Sequence, residues 1–543
     1  ELWIEPPLSQ DSDQIPDPDH QFAVLQVASQ AARRADPGVR LSMAVAVPVS
    51  ATGRRSLERL FQHGALEHFD VLGYHYYRDS PPEQDLPAEL ALLRALMARY
   101  GTVKPVWITE TGVSSGVPPD AAAHAEPAAR GGEAEAAVAE LYDRQASYVV
   151  RTHLLALALG VERVFYYDLQ NWFDDQPAVW ESTLGLLDAS SRRKPAFHAY
   201  RTMVRETDGR EFIGRLTLLP PGMDGVLIRD RQTGIYAMAV WTVAENSPQT
   251  IELAVDDNAG ELRVVASDGS TTIPEMRSNP EHESGPRVAA VRVDHHPRYL
   301  VGVDSEAWLS DAAVQLLPAH TIASPGEARP LEVLATSPHL PGPTFRILET
   351  TVPKGLRWDQ TGGRIRVDSN AEPGHYRIEA MVEVLSGAED SRRTVRLRRS
   401  ALVEVVPAVT VTLRLHRNID RVTSVGESLP GGRPLYVEAT LTNATARPVT
   451  GTLRLLEHSV DSREPDVLES EAAGLVLAPF EIRSVHFAIP MDRVRSYTGL
   501  TTLTAEFGPC RSRPFHVVPV PFTDGSRVPH IDGDLADWPA SLP

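Results

Sequence analysis

Pro105-Val106-Trp107-Ile108-Thr109-Glu110-Thr111-Gly112 is the stretch on which the fold turns. Pro105–Thr109 is an apolar, β-branched run of strand length, and Thr111-Gly112 stops it. Glu110 is therefore left at the C-terminal end of a strand. Upstream, Phe69–Tyr77 (FDVLGYHYY) is a second apolar run, and Val39–Val47 (VRLSMAVAV) a third. Downstream, Arg163–Asp168 is a fourth. Helical spacing fills the gaps, at Ser56–Leu66, Leu86–Tyr100 and Ala136–Leu159, with Gly160 as a stop; Lys194–Val204 follows with Pro195 in its first turn. Strands alternating with helices predict βαβ units and a parallel sheet. The strands are apolar almost throughout, as expected when both faces are covered.

At the other end of this region, Leu2-Trp3-Ile4 leads into Glu5, and Pro6-Pro7 ends that run. Two carboxylates, Glu5 and Glu110, thus close strands in an α/β pattern. In a (β/α)8 barrel that is the catalytic face. Aromatics crowd the same runs: Trp3, Tyr74, Tyr76, Tyr77, Trp107, Tyr166, Tyr167 and Trp172. Aromatic rings stack on the apolar faces of sugars, and paired carboxylates do acid/base and nucleophilic work at an anomeric carbon.

After about residue 212 the period changes to short alternating strands. Val226–Arg229 and Ile235–Trp241 flank the turn Gln232-Thr233-Gly234, and Tyr376–Ala380 and Leu435–Leu441 alternate in and out. Turn signals every 8–12 residues are the spacing of β-sandwiches. Expected boundaries are 1–211 for the α/β part, 212–304 for a β-sandwich, 305–407 and 408–520 for two Ig-like sandwiches, and 521–543 for a linker and the start of another module. Pro118–Glu135, rich in Ala, Glu and Pro, reads as a long loop.

Composition narrows the function. The 543 residues carry 53 Lys plus Arg against 72 Asp plus Glu, a net charge of −19. That balance opposes nucleic-acid binding as the main task, because phosphate contacts need a basic face. No apolar run is long enough for a transmembrane helix. One cysteine, Cys510, excludes an intramolecular disulfide framework and a Cys-rich metal site.

The order of these motifs resembles a known family. Residues 1–207 resemble the second half of the barrel of clan A glycoside hydrolases, particularly family 39 xylosidase/iduronidase-like and cellulase-like members. ELWIEP (1–6) is similar to strand 4 with its acid/base Glu, FDVLGYHYY (69–77) to strand 6, PVWITETG (105–112) to strand 7 with its nucleophile, and VFYYDLQNW (164–172) to strand 8. The segment 182–200 is similar to the run into the last helix. The fold expected is then a partial (β/α)8 TIM barrel, strands 4–8, followed by all-β sandwich and Ig-like domains. The resemblance implies a retaining O-glycosyl hydrolase in which Glu110 attacks the anomeric carbon. Glu5, kept partly protonated, would protonate the leaving oxygen, with Glu110 ionised. It implies that Tyr77 or His75 orients Glu110, and that Trp3, His75, Tyr77 and Trp172 bind substrate. It implies no metal and no organic cofactor, and a carbohydrate as partner. A monomer, located outside the cell or on its surface, is the expectation.

Two departures stand out. The family carries Asn just before its acid/base Glu, where it holds the sugar 2-hydroxyl; here Ile4 occupies that place. Strands 1–3 have no counterpart in the sequence, and five strands cannot close an eight-stranded barrel, so these residues alone are expected to be inactive. The alternative is a catalytically decayed carbohydrate-binding or surface scaffold protein. Residues 530–538 (HIDGDLADW) favour it, since they resemble the opening of family 9-type carbohydrate-binding modules.

Three further motifs have blander readings. Gly112-Val113-Ser114-Ser115-Gly116 matches the esterase elbow G-x-S-x-G but runs into Pro118-Pro119 rather than a helix. His295-His296 beside Asp294 reads as a surface loop. Asn443-Ala444-Thr445 is a glycosylation sequon.

Overall fold

A computed structural model describes residues 18–45, 51–116, 132–173, 180–245, 247–255, 261–277, 287–303, 306–340, 343–386, 393–415, 435–458, 466–470, 474–489, 501–508, 510–512 and 515–517. Glu5, Trp3, Ile4 and residues 530–538 lie outside them. The chain divides into two compact units, Glu1–Val405 and Val406–Pro543.

The first unit opens with α1 (Pro18–Ala35), β1 (Ser42–Val45), α2 (Ala51–Gln62), β2 (Val71–Tyr77), α3 (Pro82–Tyr100), β3 (Val106–Gly112), α4 (Gly132–Ala158), β4 (Arg163–Tyr166) and α5 (Pro195–Thr207). The four strands form one parallel sheet in the order β1-β2-β3-β4. Sequential parallel neighbours joined by helices are the βαβ arrangement read from the sequence. Val71, Leu72, Val106 and Ile108 of the sheet are buried together with Leu57 and Phe61 of α2 and Leu86, Leu90, Leu93 and Met97 of α3. The last four follow helical spacing, which gives α3 its single apolar stripe. At about 1.5–3 kcal/mol for each large side chain, this burial holds the helices on the sheet. Gly160, at φ +78°, takes the left-handed conformation just beyond α4.

β3 contains an irregularity that matters below. Tyr74 pairs with Ile108, but the next residue of β2, His75, pairs with Glu110; on the other side Ile108 pairs with Val164 and Thr111 with Tyr166. β3 therefore carries one extra residue at Thr109–Glu110 relative to both neighbours, a bulge that re-aims the side chains after it. The strand runs on through Glu110 to Gly112 rather than ending at Thr109.

The rest of the first unit is mostly antiparallel. β5 (Arg210–Arg215), β6 (Met223–Asp230) and β7 (Tyr236–Thr242) belong to a six-stranded sheet, which faces a three-stranded sheet containing Gln249–Ala254 and Val288–Val293. The two faces of β6 and β7 have different partners. Leu227, Met238 and Val240 point between the sheets with Ile251, Leu253 and Val291. Val226, Ile228, Ala237, Ala239 and Trp241 point at Val149, Val150 and Leu154 of α4 and at Ala196, Ala199 and Met203 of α5. Both faces are covered, which is why these antiparallel strands read as continuous apolar runs.

A second sandwich follows, with one sheet of His320–Ala323, Arg393–Val405, Gly374–Ser386 and Thr344–Thr351 and another of Ala328–Pro330, Arg364–Val367 and Leu356–Asp359. It is preceded by α6 (Glu306–Ala313), where only strands were expected. Leu309, Ala312 and Ala313 share a core with Leu227, Ile251, Val382 and Leu397, so one apolar cluster runs through both sandwiches. An eight-residue helix is too short for its period to show in sequence. Asp311 of α6, fully buried, ion-pairs with buried Arg399 at 2.9 Å. It also accepts from the Thr217 amide at 2.6 Å and the Leu218 amide at 2.8 Å. All of these elements belong to the first compact unit.

In the second unit, Val409–Leu415, Leu435–Asn443 and Ile482–Ile489 form an antiparallel sheet. Its core is Val411, Val437, Ala439, Leu453, Leu503 and Phe507, with neighbours of the same kind. Asn443 of the sequon is fully buried; its amide donates to the carbonyls of Arg447 and Ala478, both at 2.7 Å, and its Oδ1 accepts from Thr445 Oγ1 at 2.8 Å. In the folded chain this Asn-Ala-Thr is a structural turn, with no amide presented for modification.

Candidate functional site

The bulge in β3 brings three side chains together. Glu110 faces β2, where Tyr77 Oη donates to Glu110 Oε2 at 2.9 Å and His75 Nδ1 stands 3.4 Å from the same oxygen. His75 is buried, whereas the Glu110 side chain keeps 30% of its exposure. The carboxylate is thus fixed from behind and open in front. Without the extra residue at Thr109, side-chain alternation would turn Glu110 to the other face of the sheet.

The Tyr77 backbone is itself held. Arg78 donates to the Tyr77 carbonyl at 2.7 Å and ion-pairs with Glu89 of α3 at 2.6 Å, which ties the end of β2 to the helix. The Tyr77 ring also lies beside Gly112: a Cβ placed there would sit 3.3 Å from Tyr77 Cε1 and 2.2 Å from the Tyr167 carbonyl oxygen. Only glycine lets the chain after β4 approach β3 this closely. The Tyr167 amide donates to the Thr111 carbonyl at 2.8 Å, which fixes the exit of β4 next to Glu110.

The loop after β4 carries Trp172, which is 46% exposed. Its indole donates to Asp168 Oδ2 at 3.0 Å, and its amide to the Ser182 carbonyl at 3.0 Å. Buried Lys194 braces this loop with bonds to Ser115 Oγ at 2.8 Å, Asn171 Oδ1 at 3.3 Å and the Gly185 carbonyl at 2.6 Å. Trp172, Leu169 and Phe173 are all exposed on this loop.

Of the six site residues read from sequence, His75, Tyr77 and Glu110 meet, and Trp172 stands on the neighbouring loop. Glu5 and Trp3 lie outside the described residues. Asp168 was not among them, although it ends an apolar run just as Glu110 does. Other aromatics of these runs have different tasks. Tyr74 and Tyr76 are buried, and Trp107 lies between Arg40 and Arg163 and donates to Glu162 at 3.0 Å. The G-x-S-x-G serine is structural: Ser114 Oγ is buried, 2.7 Å from Thr183 Oγ1, and accepts the Gly116 amide at 3.0 Å. Among the described residues, no helix is long and apolar enough to cross a membrane.

No protein-family model and no curated protein matches the chain. Solved structures do. A family 39 glycoside hydrolase from Bacteroides cellulosilyticus is 18% identical, with a TM-score of 0.40 over 53% of this chain and 55% of that one. A family 51 alpha-L-arabinofuranosidase from Bifidobacterium longum is 13% identical, with a TM-score of 0.37 over 53% and 64%. The chain spans between half and two thirds of the length of these structures. At this distance the likeness assigns no chemistry, which must come from the residues themselves.

Proposed function

We propose that this chain belongs to a glycoside hydrolase that cleaves O-glycosidic bonds of oligo- or polysaccharides with retention, and that Glu110 is its nucleophile. The observation that carries this reading is the Glu110 carboxylate at the bulged end of β3, partly open to solvent and held by Tyr77 and His75. A nucleophilic carboxylate needs a fixed rotamer and an open front, and it has both here. Tyr77 and His75 both act on Oε2, and we assign attack on the anomeric carbon to Oε1. The glycosyl–oxygen bond to the leaving group breaks as the Glu110 ester forms, and Glu5 gives its proton to the leaving oxygen. Water, giving a proton to Glu5, then attacks the anomeric carbon; the bond from that carbon to the Glu110 oxygen breaks, which releases the sugar and restores both carboxyls. This requires the Glu5 and Glu110 carboxyls about 5–5.5 Å apart. Trp172, displayed on its braced loop, supplies a stacking face for a sugar ring.

The test uses the full-length protein on a panel of activated aryl glycosides. Turnover of one substrate, its loss in Glu110→Ala and its recovery with added azide support the reading. An intact protein that binds polysaccharide and cleaves nothing overturns it in favour of a binding scaffold, with Ile4 as the decisive residue.

A further inference from the structure

The pair His295-His296 meets a third ligand that local sequence does not show. Asp143, on α4, lies 152 positions from His295. Its Oδ2 is 2.6 Å from His295 Nε2 and its Oδ1 is 2.8 Å from His296 Nε2. One atom from each of the three residues falls within a sphere where all lie within 4.8 Å of one another. We propose that Asp143, His295 and His296 form a binding site for a divalent transition-metal ion of the Zn2+, Co2+ or Ni2+ type, which clamps α4 to the first sandwich.

Three features support this. First, the donor set is two imidazoles and one carboxylate. Imidazole suits borderline transition metals, while Mg2+ and Ca2+ demand oxygen. Second, the loop is pinned before any ion arrives. Ser147, one turn after Asp143 on the same face of α4, donates to the His295 carbonyl at 2.7 Å. Asp294 Oδ1 accepts the His296 amide at 3.0 Å, and Arg298 holds Asp294 from the other side at 2.9 Å. Pro297 restricts the next φ. Preorganised ligands lose little conformational freedom on binding. Third, exposure is graded as a metal site needs. The two imidazole side chains are 14% and 20% exposed, while Asp143 is 52% exposed, so the open side admits water as a further ligand. An ion would replace the two Nε2–H···carboxylate bonds with two metal–nitrogen bonds and one metal–oxygen bond, each neutral ring carrying its proton on Nδ1 instead of Nε2, after a small retreat of the carboxylate. This site is independent of the Glu110 reading.

Metal-stripped full-length protein is titrated with Zn2+, and separately with Mg2+, by calorimetry; Co2+ loading is followed by its visible d–d absorption. The expected result is one equivalent of Zn2+ bound, a Co2+ band of low-coordinate intensity, no Mg2+ response, and a rise in melting temperature with Zn2+. Asp143→Asn and the double variant His295→Gln/His296→Gln should each weaken Zn2+ about tenfold or more. Zn2+ affinity unchanged in both variants overturns the proposal, as does wild-type protein that takes up no Zn2+. Should the double variant fold poorly by circular dichroism, Asp143→Asn and the wild-type titration decide alone.

Discussion

Replacing Tyr77 by Phe removes one hydroxyl and keeps the ring that packs beside Gly112. That hydroxyl donates to Glu110 Oε2 at 2.9 Å. Hydrogen bonds to charged groups contribute roughly 1.5–3 kcal/mol. The Glu110 side chain is 30% exposed, so water partly replaces the lost donor, and about 1–2 kcal/mol remains. His75 still faces the same oxygen at 3.4 Å, so the carboxylate keeps one neighbour that orients it. The proposed mechanism uses this bond to position the attacking carboxylate, so the loss appears in kcat. With a factor of ten for each 1.36 kcal/mol, Tyr77→Phe should lower kcat roughly 5- to 30-fold while KM changes little. The assay is steady-state kinetics on the best aryl glycoside of the panel, with a thermal melt of the same preparation. Folding should be nearly unaffected, because the ring and the β2 backbone stay. Wild-type kcat in a folded Tyr77→Phe protein would refute the positioning argument; a loss confined to KM would move Tyr77 from orienting Glu110 to binding sugar alone.

Other consequences are equally specific. Gly112→Ala places a Cβ 2.2 Å from the Tyr167 carbonyl oxygen, so a backbone must move; about 1–3 kcal/mol of stability should go, measured by urea unfolding, and kcat should fall further than in Tyr77→Phe. Asp311→Ala leaves Arg399 charged and buried and two amides without their acceptor, and should lower the urea stability of the first unit by roughly 3–5 kcal/mol, with part recovered on adding Arg399→Met. Glu404 is held between Arg54 at 2.8 Å and His320 at 3.4 Å. Burial raises its carboxyl, but His320 and Arg54 more than offset this and bring it to about 2. Its folded value lies below the unfolded one, so its contribution is present above pH 4.5 and is lost as pH falls towards 2. Urea midpoints measured from pH 5 to pH 2 should therefore fall less steeply in Glu404→Gln than in the wild type.

What could be read from sequence was local. The runs 69–77 and 105–112 announce strands because both faces of a parallel strand are covered and the apolar pattern is continuous. Their ends therefore mark Glu110, His75 and Tyr77 without any knowledge of pairing. The bulge at Thr109–Glu110 was not legible, since it exists only relative to the registers of β2 and β4. Nor could sequence tell which aromatics face the site. Tyr74 and Tyr76 alternate with His75 and Tyr77 along one strand, yet go into the core. Asp143 and the His295-His296 pair are brought together only by the docking of α4 on the first sandwich. The merging of the two sandwich cores around Leu309 and Ala312 is equally non-local.

The central claim is that Glu110 becomes covalently glycosylated. It is tested most directly by incubating the full-length protein with dinitrophenyl 2-deoxy-2-fluoroglycosides, which form the intermediate but release it slowly, and mapping the adduct by peptide mass spectrometry. The expected result is one adduct per chain, on the peptide that contains Glu110, and none in Glu110→Ala. An adduct on another carboxylate, or turnover of these reagents with inverted product and no adduct, would contradict it.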